Sequence, residues 1–334
     1  MKAVRLLCIL LVIGILLMLI VYAENNRTLD LALMEPVELP DAEATQVIPL
    51  EAVKPDVTLS VAVDGKPQTM ALEEYVYNVL SAEMPASFEP EALKAQAVAA
   101  RTLAVYKLTH GGCSKYEGAD VCSDSTHCQA YCDDAERKNK WKTNYDKYTA
   151  KLRLAVEETA GKIITYDDAP ILVLYHSSSA GATEDVEHVY SKALPYLRSV
   201  PSPDAKVTDL AVTEEFDRKW FVNTVNKAYP KATLTASALE TQVAIKSRFT
   251  SGRVETIKLG GVSISGVEFR RLTGIRSANF TVEFNRYSVI VTTEGYGHGV
   301  GMSQYGANAM AKEGQSFEDI LEYYYTGVRV VDME

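Results

Sequence analysis

Glu83 is a carboxylate placed on an otherwise apolar helix face. Residues 72–84 carry apolar side chains at the spacing of one such face: Leu72, Tyr75, Val76, Val79 and Leu80. Glu83 is the next residue on that stripe, and Pro85 ends the helix two residues later. Burial on an apolar face favours the neutral carboxyl and raises its pKa, as a general acid requires near neutral pH. The same spacing also fits a glutamate at the edge of the core that points to water.

A second helix, predicted over residues 88–108, is unusually rich in alanine, which indicates a central helix packed closely on several sides. Lys94 and Arg101 are two turns apart and therefore share one face of this helix. If that face meets Glu83, the two cations offset the desolvation of the acid and can bind an anionic substrate. The alternative is that their aliphatic stems lie along the surface and carry the charges to solvent.

The loop over residues 176–183, with the sequence HSSSAGAT, is a candidate substrate-binding loop. It follows two predicted strands, over residues 162–166 and 171–175. Small polar residues just past the end of a strand are a common place for such a loop.

A glycine-rich loop over residues 295–306, GYGHGVGMSQYG, precedes a helix predicted over residues 302–312. Alternating glycines allow sharp turns and a close approach to a ligand, and they deliver His298 beside a helix N-terminus. The glycine pattern matches neither a dinucleotide fingerprint nor a phosphate-binding P-loop, and no serine lies in a G-x-S-x-G elbow. The alternative for His298 is a packed histidine that hydrogen bonds within its own loop.

The N-terminus predicts an exported protein. Lys2 and Arg5 precede an apolar run over residues 6–23, so residues 1–23 are interpreted as a transmembrane signal anchor with the N-terminus in the cytoplasm. A cleaved signal peptide is the alternative. Residues 24–56 are rich in proline and acidic residues and predict an extended linker. We therefore expect a single-pass protein of the cell membrane with an extracytoplasmic catalytic part.

Residues 57–334 predict one large catalytic ectodomain of the α+β class, with a central alanine-rich helix and several antiparallel strands. Arg270, Arg271 and Arg276 lie in a short predicted helix and loop, where exposure to solvent is the default expectation. The formal net charge of −10 argues against a nucleic-acid partner.

Four cysteines lie close together in the exported part: Cys113, Cys122, Cys128 and Cys132. His127 lies among them, and thiolate together with imidazole is a preferred ligand set for zinc. Two disulfides, for example Cys113–Cys132 with Cys122–Cys128, fit the spacing equally well.

Three segments resemble the stage II sporulation protein D family of membrane-anchored, peptidoglycan-cleaving lytic transglycosylases. They are SAEMPASFEPEALKAQAVAARTLAVY over residues 81–106, YHSSSAG over 175–181 and GYGHGVGMSQYGANAMA over 295–311. The resemblance covers nearly the whole ectodomain, and its first and last motifs are highly specific.

The resemblance implies that Glu83 is the catalytic residue. It also implies substrate-binding roles for residues of the matched motifs: Lys94, Arg101, His176, Ser177, His298, Gln304 and Tyr305. Clostridial members of the family resemble this chain in a C-x4-H-C segment that binds Zn²⁺. Carried over, Cys122, His127 and Cys128 become zinc ligands, with water, substrate or another residue as the fourth. Members from the bacilli lack this segment, so the metal is not essential to the family's chemistry.

The implied reaction needs only one carboxylate, whereas most glycosidases use two. The glutamate protonates the oxygen between N-acetylmuramic acid and N-acetylglucosamine. It then accepts a proton from the muramic acid C6 hydroxyl, which closes onto C1 as a 1,6-anhydro ring.

The family further implies a role in engulfment during endospore formation, and a preference for glycan strands denuded of stem peptides. It implies two partners, the amidase stage II sporulation protein P and the membrane protein stage II sporulation protein M. Two other functions remain open: a zinc-dependent cell-wall amidase or peptidase, and a non-catalytic glycan-binding scaffold.

Overall fold

The computed structural model describes residues 53–54, 56–190, 192–206 and 211–333. The predicted anchor, residues 1–23, and almost all of the predicted linker lie outside the described residues and stay predictions. Within the described part of the chain, none of the helices combines the length and apolar character needed to cross a bilayer.

Helices and strands alternate irregularly along the chain. The helices are α1 (Leu72–Glu83), α2 (Pro90–Thr109), α3 (Asp134–Trp141), α4 (Tyr145–Glu157), α5 (Arg218–Ala228), α6 (Leu239–Gln242), α7 (Gly266–Thr273), α8 (Gln304–Lys312) and α9 (Phe317–Tyr324). The strands are β1 (Thr58–Val63), β2 (Lys66–Ala71), β3 (Val121–Cys122), β4 (Lys162–Tyr166), β5 (Ala169–Pro170), β6 (Tyr175–His176), β7 (Val212–Asp217), β8 (Val243–Arg248), β9 (Val254–Leu259), β10 (Val262–Ser265), β11 (Phe280–Phe284), β12 (Ser288–Thr293), β13 (Met302–Ser303) and β14 (Arg329–Asp332).

Helix α2 forms the centre of the largest hydrophobic core, as its alanine content predicts. It packs against α1, α4, α8, α9 and β4, and its alanines are fully buried. An alanine side chain ends at Cβ, so several neighbouring elements can approach the α2 backbone at once. Pro90 at the first turn and the extended Glu89 fix where α2 begins.

Several sheets are antiparallel, which confirms a mixed α+β fold. Their strand orders are β2-β1-β3, β10-β9-β8, β11-β12-β7 and β14-β4-β5. Within them β3 alone runs parallel to its neighbour, β1. The segment from β7 to β12 has its own aromatic contacts, in which Phe269 lies between Phe221 and Phe280.

A short parallel pairing of β6 with β13 brings the two predicted loops together. Tyr175 pairs with Met302, and His176 pairs with Ser303. This pairing explains two differences from the sequence-based elements. The helix predicted from residue 302 begins at Gln304 because Met302 and Ser303 are extended. The strand predicted over residues 171–175 is reduced to β6, the part that pairs with β13, whereas Ile171, Leu172 and Val173 are buried in the core outside any strand.

Candidate active site

Glu83, both candidate loops and the cysteine-rich segment line one cavity of about 1140 Å³. Helix α1 delivers Glu83 as its last residue, since Met84 is already extended and Pro85 follows. The glycine-rich loop contributes Tyr296 and His298 to the same cavity through a left-handed turn at Gly297, whose φ is 113°. A Cβ at Gly297 would lie 2.8 Å from the Cβ of His176. Glycine is therefore required for the two loops to pack this closely.

Burial raises the pKa of Glu83, and three donors oppose that rise. The backbone N–H of Ala130 donates to Glu83 Oε1 at 2.6 Å. The side chains of Tyr175 and Gln304 also hydrogen bond to the carboxyl, and Lys140 contributes a weaker electrostatic attraction. The acid is thus neutral over a wider pH range than a free glutamate, and donors are in place for its ionised form. The expectation of a partly desolvated carboxyl on an apolar helix face agrees with this geometry.

The Tyr175 hydroxyl lies between Glu83 and Gln129. It donates to Gln129 Oε1 at 2.8 Å, while Gln129 Nε2 donates to the Ala100 carbonyl at 3.3 Å and so fixes the orientation of the amide. A hydroxyl can donate one hydrogen bond at a time, and Tyr175 can direct it to Glu83 when the carboxyl is ionised. Tyr175 can therefore respond to the charge of the acid without moving its ring.

Gln304 and Tyr305 open helix α8 beside the acid. Gln304 Nε2 donates to Gln96 Oε1 at 3.3 Å in addition to its bond with Glu83. Tyr305 also lines the cavity, and its ring packs edge-on against Phe88 at 5.0 Å between centroids. Ser303 caps the helix by accepting from the Gly306 N–H. Both residues line the cavity beside Glu83, and their substrate-binding role stays a prediction.

His298 and His176 are packed, neutral histidines on the cavity wall, 5.7 Å apart between ring centroids. Burial and the nearby Arg270 lower the pKa of His298 to about 3. Its Nδ1 accepts from the Val300 N–H at 3.1 Å, which leaves Nε2–H as the donor to the Tyr175 carbonyl. Burial also lowers the pKa of His176 far below its usual range. His176 Nδ1 hydrogen bonds to the Val300 carbonyl at 3.1 Å, so the two rings bond across the two loops as well as within them. Both rings line the cavity.

Ser177 lies between these groups and lines the cavity. Its carbonyl accepts from the Tyr305 N–H at 3.0 Å. That bond ties the HSSSAGAT loop to the start of α8.

Lys94 and Arg101 lie elsewhere, so the face that they share does not meet Glu83, and the substrate-binding role implied by the family resemblance does not fit their positions. Lys94 pairs with Glu91 at 2.8 Å and with Glu158 at 2.7 Å. Arg101 is fully buried and makes two hydrogen bonds to Glu73, at 2.8 and 2.5 Å. Glu73 is in the first turn of α1, at the end opposite Glu83. The shared face of Lys94 and Arg101 therefore meets carboxylates of the fold, and neither side chain lines the cavity.

A cluster of four possible metal ligands adjoins the acid: Cys113, Cys122, His127 and Cys128. Nδ1 of His127 lies 3.5, 3.5 and 3.3 Å from the sulfurs of Cys113, Cys122 and Cys128. The four cysteines of the described residues are free thiols, so the alternative of two disulfides does not match the structure. Cys132 is outside the cluster and bonds the Asp133 carbonyl.

The donor set fits a tetrahedral metal centre. With Zn–S of about 2.3 Å and Zn–N of about 2.0–2.1 Å, tetrahedral geometry separates nitrogen and sulfur ligands by about 3.5 Å. The three N–S separations match that value. The predicted ligands Cys122, His127 and Cys128 are brought together, and Cys113 completes the set.

Sequence reasoning gave no role to three contributors, Tyr175, Gln129 and the Ala130 N–H, and it left the fourth metal ligand open, a position that Cys113 fits. Tyr175 lies in the YHSSSAG motif directly before His176, so the motif could have indicated Tyr175 as a site residue. A backbone N–H has no sequence signature. Cys113 joins the cluster because the chain turns at Gly112, whose φ is positive. The Cys113 N–H then donates to the Ala119 carbonyl at 2.8 Å.

Comparison with known proteins identifies relatives over most of the chain. A family model described as "Stage II sporulation protein" matches residues 65–166. Stage II sporulation protein D of Bacillus subtilis (strain 168) is 38% identical over 268 residues, which are 80% of this chain and 76% of that protein. Its counterpart from Bacillus amyloliquefaciens is 37% identical over the same length and the same shares.

A more distant relative is the amidase enhancer of Bacillus subtilis (strain 168), 30% identical over 297 residues, which cover 75% of this chain and 39% of that protein. The first two relatives are similar to this chain over more than two thirds of their own length. The chain therefore belongs to the stage II sporulation protein D family and is a sporulation protein.

Proposed function

We propose that the protein is a peptidoglycan lytic transglycosylase in which Glu83 is both general acid and general base. The observation that carries the proposal is chemical. Among the described residues that line the cavity, Glu83 is the sole carboxylate. A glycosidase that uses water as nucleophile places two carboxyl groups about the scissile bond. An internal nucleophile, the C6 hydroxyl of the muramic acid residue, removes the need for the second.

In the first step the neutral Glu83 carboxyl donates its proton to the oxygen between N-acetylmuramic acid and N-acetylglucosamine, and the C1–O bond breaks. The raised pKa of Glu83 supplies the protonated form needed for this donation. Glu83 then carries a negative charge, which the Ala130 N–H and the Gln304 amide can stabilise.

In the second step the C6 hydroxyl attacks C1 while its proton passes to the Glu83 carboxylate. This restores the neutral acid and leaves a 1,6-anhydro ring on the muramic acid. The Tyr175 hydroxyl can donate a hydrogen bond to the carboxylate between the two steps and then turn that hydrogen bond back to Gln129 Oε1, keeping its proton throughout. No water enters the products, so the cavity does not need to position one.

Zn²⁺ is proposed as a structural element of this site. Cys113, Cys122, His127 and Cys128 would hold the ion, which would supply a rigid cross-link between their loops. Gln129 and Ala130 follow the last ligand directly and bond Tyr175 and Glu83. The cluster therefore anchors the segment that contacts the acid.

The same donor set argues against a zinc-dependent amidase or peptidase. Catalytic zinc sites keep a position open for water or substrate, with three protein ligands. Four protein ligands in one cluster fill a tetrahedron.

The cellular setting is proposed from the sequence and the family. Lys2, Arg5 and the apolar residues 6–23 favour a single-pass membrane anchor with the catalytic part outside the cytoplasm. We propose that the substrate is glycan strands denuded of stem peptides and that cleavage serves engulfment. Stage II sporulation proteins P and M are the proposed partners.

Isotope labelling tests the reaction class. Denuded glycan strands are digested in water enriched in heavy oxygen, and the new reducing ends are analysed by mass spectrometry. A lytic transglycosylase gives anhydro ends without heavy oxygen. Incorporation of one heavy oxygen atom per cut would show hydrolysis and refute the proposal.

A further inference from the structure

Three arginines line the cavity that contains Glu83: Arg270, Arg271 and Arg276. Arg270 and Arg271 lie on α7, and Arg276 lies in the loop that follows it. Helix α7 is short, but a capping box at Ser265 and a left-handed Gly274 define both of its ends. The guanidinium groups are therefore presented to the cavity by a well-defined element.

Arg270 and Arg271 lack the carboxylate partners that other arginines of the described fold have. Arg101, Arg198 and Arg218 each pair with a glutamate within 2.7 Å. In the part of the chain that the structure describes, neither Arg270 nor Arg271 is within ion-pair distance of any carboxylate. Burial lowers the pKa of Arg270, which reflects the cost of holding an unpaired charge at a half-buried position. Positive charges of this kind favour an anionic ligand.

Arg270 is connected to Glu83 through a short series of contacts. It lies close enough to His298 to contribute to the lowered pKa of that ring. His298 bonds the Tyr175 backbone, and the Tyr175 side chain bonds Glu83. The arginines, the two histidines and the acid therefore line one cavity, where a single glycan strand can contact both the cations and the acid.

An aromatic surface adjoins the arginines. The Arg276 guanidinium lies 5.3 Å from the centre of the Tyr296 ring, and that tyrosine is 49% exposed. Tyr190 packs against His298 at 6.0 Å between ring centroids. Exposed aromatic faces beside cationic groups suit an anionic sugar, because the ring covers the apolar face of the sugar while the cation meets its charge.

We propose that Arg270 and Arg271 form a subsite for the free lactyl carboxylate of a muramic acid residue in the bound strand. The inference rests on the proposed function and deepens it. A stem peptide is joined to the glycan through this carboxylate, which becomes a neutral amide. The subsite therefore selects denuded strands by charge, since a guanidinium binds a carboxylate through two charge-assisted hydrogen bonds and an amide through weaker ones.

Equilibrium binding to two matched ligands tests the subsite without requiring turnover. One ligand is denuded glycan strands; the other is the same strands after their carboxyl groups are converted to methylamides. The protein carries Glu83→Gln so that neither ligand is cut. One charge-assisted interaction predicts that the carboxylate form binds roughly 10–100-fold more tightly than the amide form.

Substitution of the arginines then identifies the source of that preference. Arg270→Gln and Arg271→Gln, each added to Glu83→Gln, should reduce the ratio of the two dissociation constants towards one and leave binding of the amide form unchanged. A misfolded variant would bind neither ligand, and the loss of binding to the amide form distinguishes it from a folded variant that has lost only the preference. Arg286→Gln is the matched control, because Arg286 is exposed beyond β11 and outside the cavity. It should keep the full preference.

Equal binding of the two ligands by the parent protein would overturn the subsite, as would an unchanged preference in both arginine variants. Formation of anhydro products by the wild-type protein is measured in parallel. Absence of those products together with a charge-dependent binding ratio would refute the proposed function and leave the subsite standing. Anhydro products without any binding preference would overturn the subsite and leave the proposed function standing.

Discussion

Replacement of Arg101 by methionine should destabilise the protein without weakening its binding of glycan. The sequence suggests a substrate-binding role for this arginine, whereas the structure buries it completely against Glu73. Its Nη1 also donates to the Lys162 carbonyl at 3.1 Å, so one side chain ties α1 to the start of β4. Methionine keeps much of the volume and removes every one of these donors.

The expected cost follows from the geometry of the pair. Removing one partner of a buried ion pair costs about 3–5 kcal/mol because the other charge stays buried and unpaired. The Glu73 side chain is 29% exposed, so water can partly replace the lost arginine. We therefore expect the lower end of that range, about 3 kcal/mol. For a domain of this size each kcal/mol lowers Tm by about 2–4 °C, which gives a decrease of roughly 6–12 °C.

Thermal and urea unfolding measure this loss, with Lys94→Met as the matched control. Lys94 shares the helix face and the sequence-based role of Arg101, but its partners Glu91 and Glu158 are more exposed. Its substitution should cost about 1 kcal/mol or less. The double variant Glu73→Leu with Arg101→Met should recover stability relative to Arg101→Met alone, because no unpaired charge remains.

The opposite pattern would refute the structural assignment. An Arg101→Met protein that unfolds at the wild-type temperature, but binds denuded strands more weakly when folded, would show that Arg101 contacts substrate.

Three further predictions concern the metal cluster and the acid. Cys113→Ser should lower the zinc content per protein molecule, measured by atomic emission, whereas Cys132→Ser should not, because Cys132 is outside the cluster. Equal loss of zinc from both variants, or a wild-type protein that binds no zinc, would contradict the assignment. Glu83→Gln should be at least as stable as wild type at neutral pH. Burial raises the pKa of Glu83 in the folded state above its unfolded value. The free energy of unfolding of the wild type, relative to that of the variant, therefore falls as the pH rises from the unfolded pKa through the folded pKa. Urea unfolding measured across that pH range would contradict this if the difference between the two proteins stayed constant. Tyr175→Phe should lower kcat roughly tenfold with little change in KM, because one donor to the ionised acid is lost; an unaltered kcat would remove Tyr175 from the mechanism.

The elements that carry the acid could be predicted because their signals are local. The apolar spacing before Glu83 gave helix α1 to within one residue of its end, and alanine content predicted the central place of α2. Strand β4 also has the predicted bounds, because its signals are local too: Gly161 precedes the strand and the turn residues Asp167 and Asp168 follow it.

Contacts between distant parts of the chain could not be predicted. Helical spacing shows that Lys94 and Arg101 share a face, but it does not show what that face meets. Their partners are settled by the packing of α1 and α4 against α2. Arg270 and Arg271 looked like solvated surface residues because a short amphipathic helix does not reveal that a cavity lies on its polar side.

The most direct test of the central claim compares Glu83→Gln with the wild-type protein on denuded glycan strands. Released 1,6-anhydromuramic products are quantified by mass spectrometry, with Glu313→Gln, an exposed glutamate beyond α8, as the control. Loss of a group that is both acid and base should reduce the rate at least about 10²–10⁴-fold, and the control should cleave normally. An unchanged rate of anhydro-product release from folded Glu83→Gln protein would contradict the account.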